Sequence, residues 1–202
     1  MYVPAPFVVT DREKALAFAR TNNFAALVTR DERAGLVATH VPVLVDALED
    51  AWVVHGHIAR ANAQPLEGEA LVIFSGPHAY ISPSWYARPN LVPTWDYVAV
   101  HVTGRLQRID EREEVKAIVD RLTAQHEATM PQPWKRDMTP EVESKLLDRI
   151  VGFRVQSTEI RGAWKLHQHH LPDDRKRVAA ALRERGSDHE KMIADLIERT
   201  LE

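Results

Sequence analysis

The chain has 202 residues, 45% hydrophobic and 27% charged, with a net charge of −3 and no cysteine. That length and balance predict a packed globular fold. They exclude disulfides, thiolate metal centres, iron–sulfur clusters and a cysteine nucleophile, and they disfavour broad nucleic-acid affinity, which needs basic residues to neutralise phosphates. No apolar run approaches the length of a membrane span, and Met1-Tyr2-Val3-Pro4 lacks the basic start of a secretion signal, so no membrane contact and a cytoplasmic location are expected.

Thr10-Asp11-Arg12-Glu13 has the form of a capping box, and Ala15, Leu16 and Ala19 follow at helical spacing, predicting a helix from about Asp11 to Arg20. Residues 24–29 and 35–45 are apolar, β-branched runs separated by the polar turn Asp31-Glu32-Arg33-Ala34, the pattern of an antiparallel hairpin. Pro42 cannot donate to a ladder, so an edge or a bulge is expected there. A third strand is predicted at Ala51–His55, a short helix at 59–64 ended by Pro65, and a fourth strand at Ala70–Phe74. Gly76-Pro77, Pro83 and Pro89 predict that the aromatic segment 78–86 is irregular, with a loop at 92–96.

Residues 97–107 alternate as a long strand. Asp110 reads as the cap of a helix with Glu113 three residues on, and its buried face is Val115, Ile118, Val119 and Leu122. Met130–Trp134 breaks it. Thr139-Pro140 opens another helix, with Val142, Leu146, Leu147 and Ile150 as its apolar stripe. Strands are predicted at 150–155 and 159–166. From Pro172-Asp173 onward the chain is helical, divided at Gly186-Ser187, where Ser187 and Glu190 form a capping box and Met192, Ile193, Leu196 and Ile197 form an apolar face. Six or seven strands joined by short antiparallel connections and decorated with helices predict an α+β barrel.

No dinucleotide fingerprint, P-loop, nucleophile elbow or His-Glu-x-x-His motif is present. The candidate site is the stretch Trp52–Asn62. If a strand there runs into a helix start, the free N–H groups of the first turn face an anion, with Arg60 as a bidentate clamp and His57 and Asn62 as donors beside it. The alternative is a plain turn with one solvated arginine. His55 and His57 share a strand face, but no carboxylate or cysteine sits at matching spacing, so no metal is expected and His55 takes a structural role. The aromatic segment Tyr80–Tyr86 and Trp95 either stack on a flat ring or fill core and interface.

Four segments carry a resemblance: His57-Ile-Ala-Arg-Ala-Asn62, Phe74–Tyr86, Val92-Pro-Thr-Trp-Asp-Tyr97 and Trp164-Lys-Leu-His-Gln168. In this order they resemble the motifs of the PaiB-like FMN-binding negative transcriptional regulators, from Tyr2-Val3-Pro4 to about Gln168. The resemblance implies an antiparallel split β-barrel of the pyridoxamine-phosphate-oxidase and flavin-reductase type, with peripheral helices and FMN near the interface of a homodimer. It implies an FMN-binding domain over residues 1–170 and a C-terminal helical extension over 171–202, packed on the barrel or the dimer partner. The anion at Arg60, His57 and Asn62 then becomes the FMN phosphate, Thr39 and His40 meet the ribityl chain or ring edge, and Trp95, Lys165 and Gln168 are further cofactor contacts. The chain departs from the family where Lys165-Leu-His-Gln-His169 stands in place of a usual Lys-Leu-Ser-Gln-Asn. Three functions follow as expectations: an FMN-binding regulator, an FMN-dependent oxidoreductase, or an interaction module that has lost the cofactor. Direct DNA binding has no support from charge, since a Gly186-Ser187 helix pair would present Asp188, Glu190, Asp195 and Glu198.

Overall fold

The computed structural model describes residues 1–62 and 64–201. Seven strands follow the hydrogen-bonded order β1-β7-β4-β3-β2-β5-β6, and a further β7–β6 pairing returns that order on itself. They are β1 (Val8–Val9), β2 (Phe24–Asp31), β3 (Gly35–Ala47), β4 (Trp52–Ala59), β5 (Gly68–Ile81), β6 (Thr94–Ile109) and β7 (Ile150–Lys165). Among the described residues the helices are α1 (Arg12–Thr21), α2 (Arg112–Glu127), α3 (Pro140–Leu147), α4 (Pro172–Arg185) and α5 (Asp188–Arg199). None of them is long and apolar enough to cross a membrane. The chain divides into two compact units: Leu16–Phe74 with His101–Ile160, and Met1–Ala15 with Ser75–Val100 and Arg161–Glu202.

In the first of these units the predicted hairpin forms, in a register from Phe24↔Pro42 to Asp31↔Gly35. Val41, Val43 and Val45 of β3 are buried on one side, as period-two alternation requires. Pro42 lies in a central strand, not at an edge. It is tolerated because the β2 register ends at Pro42 and the β4 register begins one residue later, at Val43↔Gly56. Helix α2 covers β3 and β4, and Leu44, Ile109, Val115, Ile118 and Leu122 make a core cluster against which Leu147 and Ile150 pack. The cap of α2 is Glu111, whose carboxylate accepts from the N–H groups of Glu113 and Glu114. Asp110, the residue expected to cap, is instead an ion-pair partner. The α3 stripe is only partly used: Leu147 reaches the core, while Val142 and Leu146 stay 48% exposed. Helical spacing puts side chains on one face, but covering that face needs another element.

Two predicted strands at 150–155 and 159–166 are one continuous β7. The polar residues between them do not interrupt it, because Gln156 pairs with Val53 and the Ser157 hydroxyl accepts from the Trp52 N–H. Nor does Gly76-Pro77 end β5, since the β2–β5 register covers only Ala70–Ile73 and Pro77 lies beyond it. Likewise Thr94–Asp96, read as loop, belongs to β6.

In the other unit β1 pairs with β7 at Val8↔Ala163 and Val9↔Gly162. Helices α4 and α5 pack together through Val178, Ala179, Leu182, Ile193, Ala194 and Ile197, all buried. Between them Gly186 takes a left-handed conformation (φ 81°) and Ser187 forms the predicted capping box with Glu190. Of the predicted α5 face, Met192 is exposed. Asp174 at the start of α4 is buried and accepts from the Ala87 N–H and from both Nε and a terminal nitrogen of Arg88, tying the segment after the 3-10 turn Pro83–Trp85 to α4.

Candidate functional site

The helix expected at 59–64 does not form among the described residues; Ala63 lies outside them. β4 stays extended to Ala59, and residues 60–61 turn, with the Asn62 N–H donating to Ala59 O at 2.8 Å. The physical reason is a tertiary bond that outcompetes the helix: the Arg60 N–H is taken by Arg149 O at 2.7 Å, continuing the ladder that pairs Ala59 with Ile150. Among the described residues no helix N-terminus is therefore available there to hold an anion.

A different feature occurs at the same place. β3 and β4 pair only as far as Val43↔Gly56, so residues 39–42 and 57–59 part, while β4 continues alone along β7. Across this mouth Asn62 Nδ2 donates to Thr39 Oγ1 at 3.1 Å, and Asn62 Oδ1 accepts from the Gln64 N–H. His57 sits on the β4 side, opposite Gly152, and its buried Nδ1 has no hydrogen-bond partner among the described residues. A side chain at Gly152 would press on Ile109 and Val115, so its absence lets α2 approach β7 there, and His57 across from it is half-buried. Burial lowers the His57 pKa, so at neutral pH the ring offers a neutral donor and not a charge.

Arg60 is held by three protein oxygens: Asp148 O through Nε (3.1 Å), Asp110 Oδ1 (3.1 Å) and Ile150 O (2.9 Å) through its terminal nitrogens. A guanidinium carries five N–H donors, and with three used, two remain. Asp110 in turn is gripped by Arg108 and Arg60, which hold its pKa down to about 2. His40 lies on the face of β3 opposite Thr39, the face that the Leu44↔His55 register shares with His57, and stacks on Phe24, with ring centres 6.0 Å apart. His55 takes the structural role expected, 3.3 Å from Asp46.

The remaining three predicted residues belong to the other unit. Trp95 is 54% exposed, with His78 and Tyr80 beside its ring at 6.2 and 5.9 Å. Lys165 Nζ donates to Thr94 Oγ1 and to Trp95 O. Gln168 is folded back on its own turn: Oε1 accepts from the Leu166 N–H at 2.8 Å and Nε2 donates to Trp164 O at 2.5 Å. Between them stands a buried hydrogen-bonded chain that the motifs did not reveal. His167 Nδ1 is 2.6 Å from Asp96 Oδ2, and His167 Nε2 is 2.7 Å from the Tyr86 hydroxyl. Asp96 and His167 are fully buried. The only sequence signal was the imidazole at 167 in place of a smaller residue, and nothing local in the sequence couples it to Asp96 or Tyr86.

An open groove of about 820 Å³ between the start of β5 and the far parts of β6 and β7 is lined by Glu67, Glu69, Arg105, Arg108, Arg154 and Thr158, among others. Arg108 is bidentate on Asp110, and Arg154 bonds Gln107. The groove carries three arginines against two glutamates, two of the arginines being engaged by Asp110 and Gln107.

Burial lowers the pKa of His55, His57, His101, His169 and His170, the last to about 4. The unfolded chain protonates these rings near pH 6.5 and the native state only below that. Between about 6.5 and 4 the unfolded state thus binds more protons, and stability falls as pH falls. Thermal melts from pH 8 to 4 should show a melting temperature constant above 7 and decreasing steadily below 6.5; a flat profile down to pH 4 contradicts the burial of these rings.

Comparison with known proteins adds the following. The family model described as "Putative FMN-binding domain" matches residues 1–159. The chain is 35% identical over 204 residues to the Bacillus subtilis (strain 168) Protease synthase and sporulation protein PAI 2, covering 98% of this chain and 97% of that one. Among solved structures, the flavocytochrome Anf3 from Azotobacter vinelandii is similar with a TM-score of 0.59 and 14% identity, covering 78% of this chain and 69% of that one. The FAD and heme binding protein from Mycobacterium smegmatis is similar with a TM-score of 0.52 and 16% identity, covering 78% of this chain and 73% of that one. At such identities these two similarities speak for the fold alone, and they agree with the α+β, split-barrel class expected from the sequence. With the domain matched over residues 1–159 and the PAI 2 protein aligned over nearly its whole length, the chain belongs to the PaiB-like FMN-binding family.

Proposed function

We propose that this chain is an FMN-binding protein of the PaiB-like regulator type, acting as a cytoplasmic homodimer, with residues 1–170 as the flavin domain and 171–202 as its helical extension. The observation that carries the binding reading is the parting of β3 and β4 beyond Val43↔Gly56. It leaves Thr39 Oγ1 and Asn62 bonded across one mouth, with Arg60 and its two spare N–H groups next in the chain, while the unpartnered His57 Nδ1 lies on the other face of the sheet with His40. These are donors of the kind a phosphate requires, one of them a guanidinium. Parted strands, in place of the expected helix start, are the setting proposed for these residues. His40, on the opposite face of β3, is proposed for the ring edge or ribityl chain. Trp95, Lys165 and Gln168 are proposed as flavin contacts on their own surface, Trp95 by stacking and Lys165 through its remaining N–H.

Bound FMN supplies one- and two-electron redox chemistry. Direct contact with DNA is the less favoured partnership. The exposed side of α5 carries Asp188, Asp195 and Glu198, and Arg183 is engaged by Asp195 and Glu198.

The test is a titration of the purified protein with FMN and with riboflavin, followed by flavin fluorescence quenching and by the absorbance spectrum. FMN should bind at least about 30-fold more tightly than riboflavin, because charge-assisted phosphate contacts of about 2 kcal/mol or more are lost with riboflavin. Equal affinities would remove the phosphate from the site, and absence of any quenching would remove the flavin.

A further inference from the structure

The connectivity Asp96–His167–Tyr86 is that of a carboxylate, an imidazole and a hydroxyl in series. His167 Nδ1 faces Asp96 Oδ2 and Nε2 faces the Tyr86 hydroxyl, so the imidazole joins a carboxylate to a group that can donate or accept. Tyr86 is 8% exposed, and burial together with Asp96 and Asp174 pushes its pKa up to about 12. With Asp96, His167 and Tyr86 all buried, the chain of bonds ties three segments of the fold together.

The backbone shows what it serves. His167 has φ 62°, a left-handed conformation that disfavours a non-glycine residue. That conformation reverses the chain just after β7 and drives the imidazole inward, where two buried hydrogen bonds and stacking of His170 on both His167 (4.5 Å) and Tyr86 (5.1 Å) offset it. Two ties run side by side as a result. Lys165 is fastened to Thr94 and Trp95, and His167 to the next residue, Asp96. Gln168 closes the same turn from within through Leu166 and Trp164.

We propose that His167 is a positioning residue: by bridging Asp96 and Tyr86 from a left-handed backbone it fixes the 165–168 turn, so that the Lys165 ammonium is held in place with one N–H left for a carbonyl oxygen of the flavin. This rests on the reading of the Lys165 surface as a flavin contact.

The experiment combines hydrogen exchange on the flavin-free protein with a double-mutant cycle in FMN affinity. His167→Asn keeps a side chain tolerant of positive φ but cannot reach Tyr86. It should speed exchange of the 165–170 amides by about tenfold or more and weaken FMN by about tenfold, the loss expected for a missing buried hydrogen bond. Lys165→Met should weaken FMN similarly, and the double variant should be no more than about twofold weaker than Lys165→Met alone, because the two act as one unit. Tyr86→Phe removes one hydroxyl only and should shift both readouts in the same direction by less, which keeps the test open if His167→Asn folds poorly. Multiplying losses in the double variant, or unchanged exchange in both His167→Asn and Tyr86→Phe, overturns the positioning role. If Lys165→Met leaves FMN affinity unchanged, the flavin reading of this surface fails, and the exchange data still decide whether His167 fixes the turn.

Discussion

Gly104→Ala is expected to lower the melting temperature by about 6–12 °C, the equivalent of roughly 3 kcal/mol in a chain of this size. A Cβ at Gly104 of β6 would lie 2.2 Å from Gln156 O, 2.8 Å from Gln156 C and 2.9 Å from Ser157 Cα. All three are backbone atoms of β7, so no side chain can swing aside. Moving β7 there would also strain its register with β4, where Val53 pairs with Gln156 and the Ser157 hydroxyl holds the Trp52 N–H. Gly56→Ala is a milder comparison, because the atoms it meets first belong to the Phe153 ring, 2.5 Å away, and a ring can tilt. Gly35→Ala is the control for conformational strain alone, with φ +78° and open space around it, and should cost about 1 kcal/mol. Circular-dichroism melts of the three variants give the order directly; a Gly104→Ala melt within about 2 °C of the unmodified chain would mean that β6 and β7 are not in this close approach.

Arg60→Ala should weaken FMN by about 10- to 100-fold while changing riboflavin affinity less than about twofold, the signature of a lost phosphate contact worth about 1.5–3 kcal/mol. The stability change should be small, since the Arg60–Asp110 pair is exposed to solvent and such pairs contribute little. Arg105→Ala, in the groove with Glu67 and Glu69, should leave FMN affinity within about twofold. The comparison is sharp because Arg60 is engaged by three protein oxygens, so its contribution depends on the two N–H groups they leave. If Arg105→Ala gives the larger loss, the phosphate lies in the groove and the β3–β4 mouth has another role.

Several residues proposed for the site are marked by type alone. Arg60, Asn62 and His57 stood out as a compact set of donors, and the structure places Asn62 on Thr39 by a direct hydrogen bond. What misled was their setting. Ala59-Arg-Ala-Asn carries helix-forming residues, yet Arg149 O captures the Arg60 N–H and keeps the segment in the ladder. Asp110 sat where a cap belongs, yet two arginines draw it away and Glu111 caps instead. In both places a partner far along the chain overrode a local preference of less than about 1 kcal/mol per residue.

The sequence by itself determined the class of the fold, the hairpin, the capped start of the last helix and the family, because caps, alternation and turn chemistry act within a few residues and motif order survives without coordinates. Only the tertiary structure decided that β7 is one strand, that β3 and β4 part where the proposed phosphate site opens, and that Asp96, Tyr86 and His167 share buried hydrogen bonds. Those outcomes depend on which strands become neighbours. Pairing energies between residues dozens of positions apart leave no periodic trace in the chain that makes them.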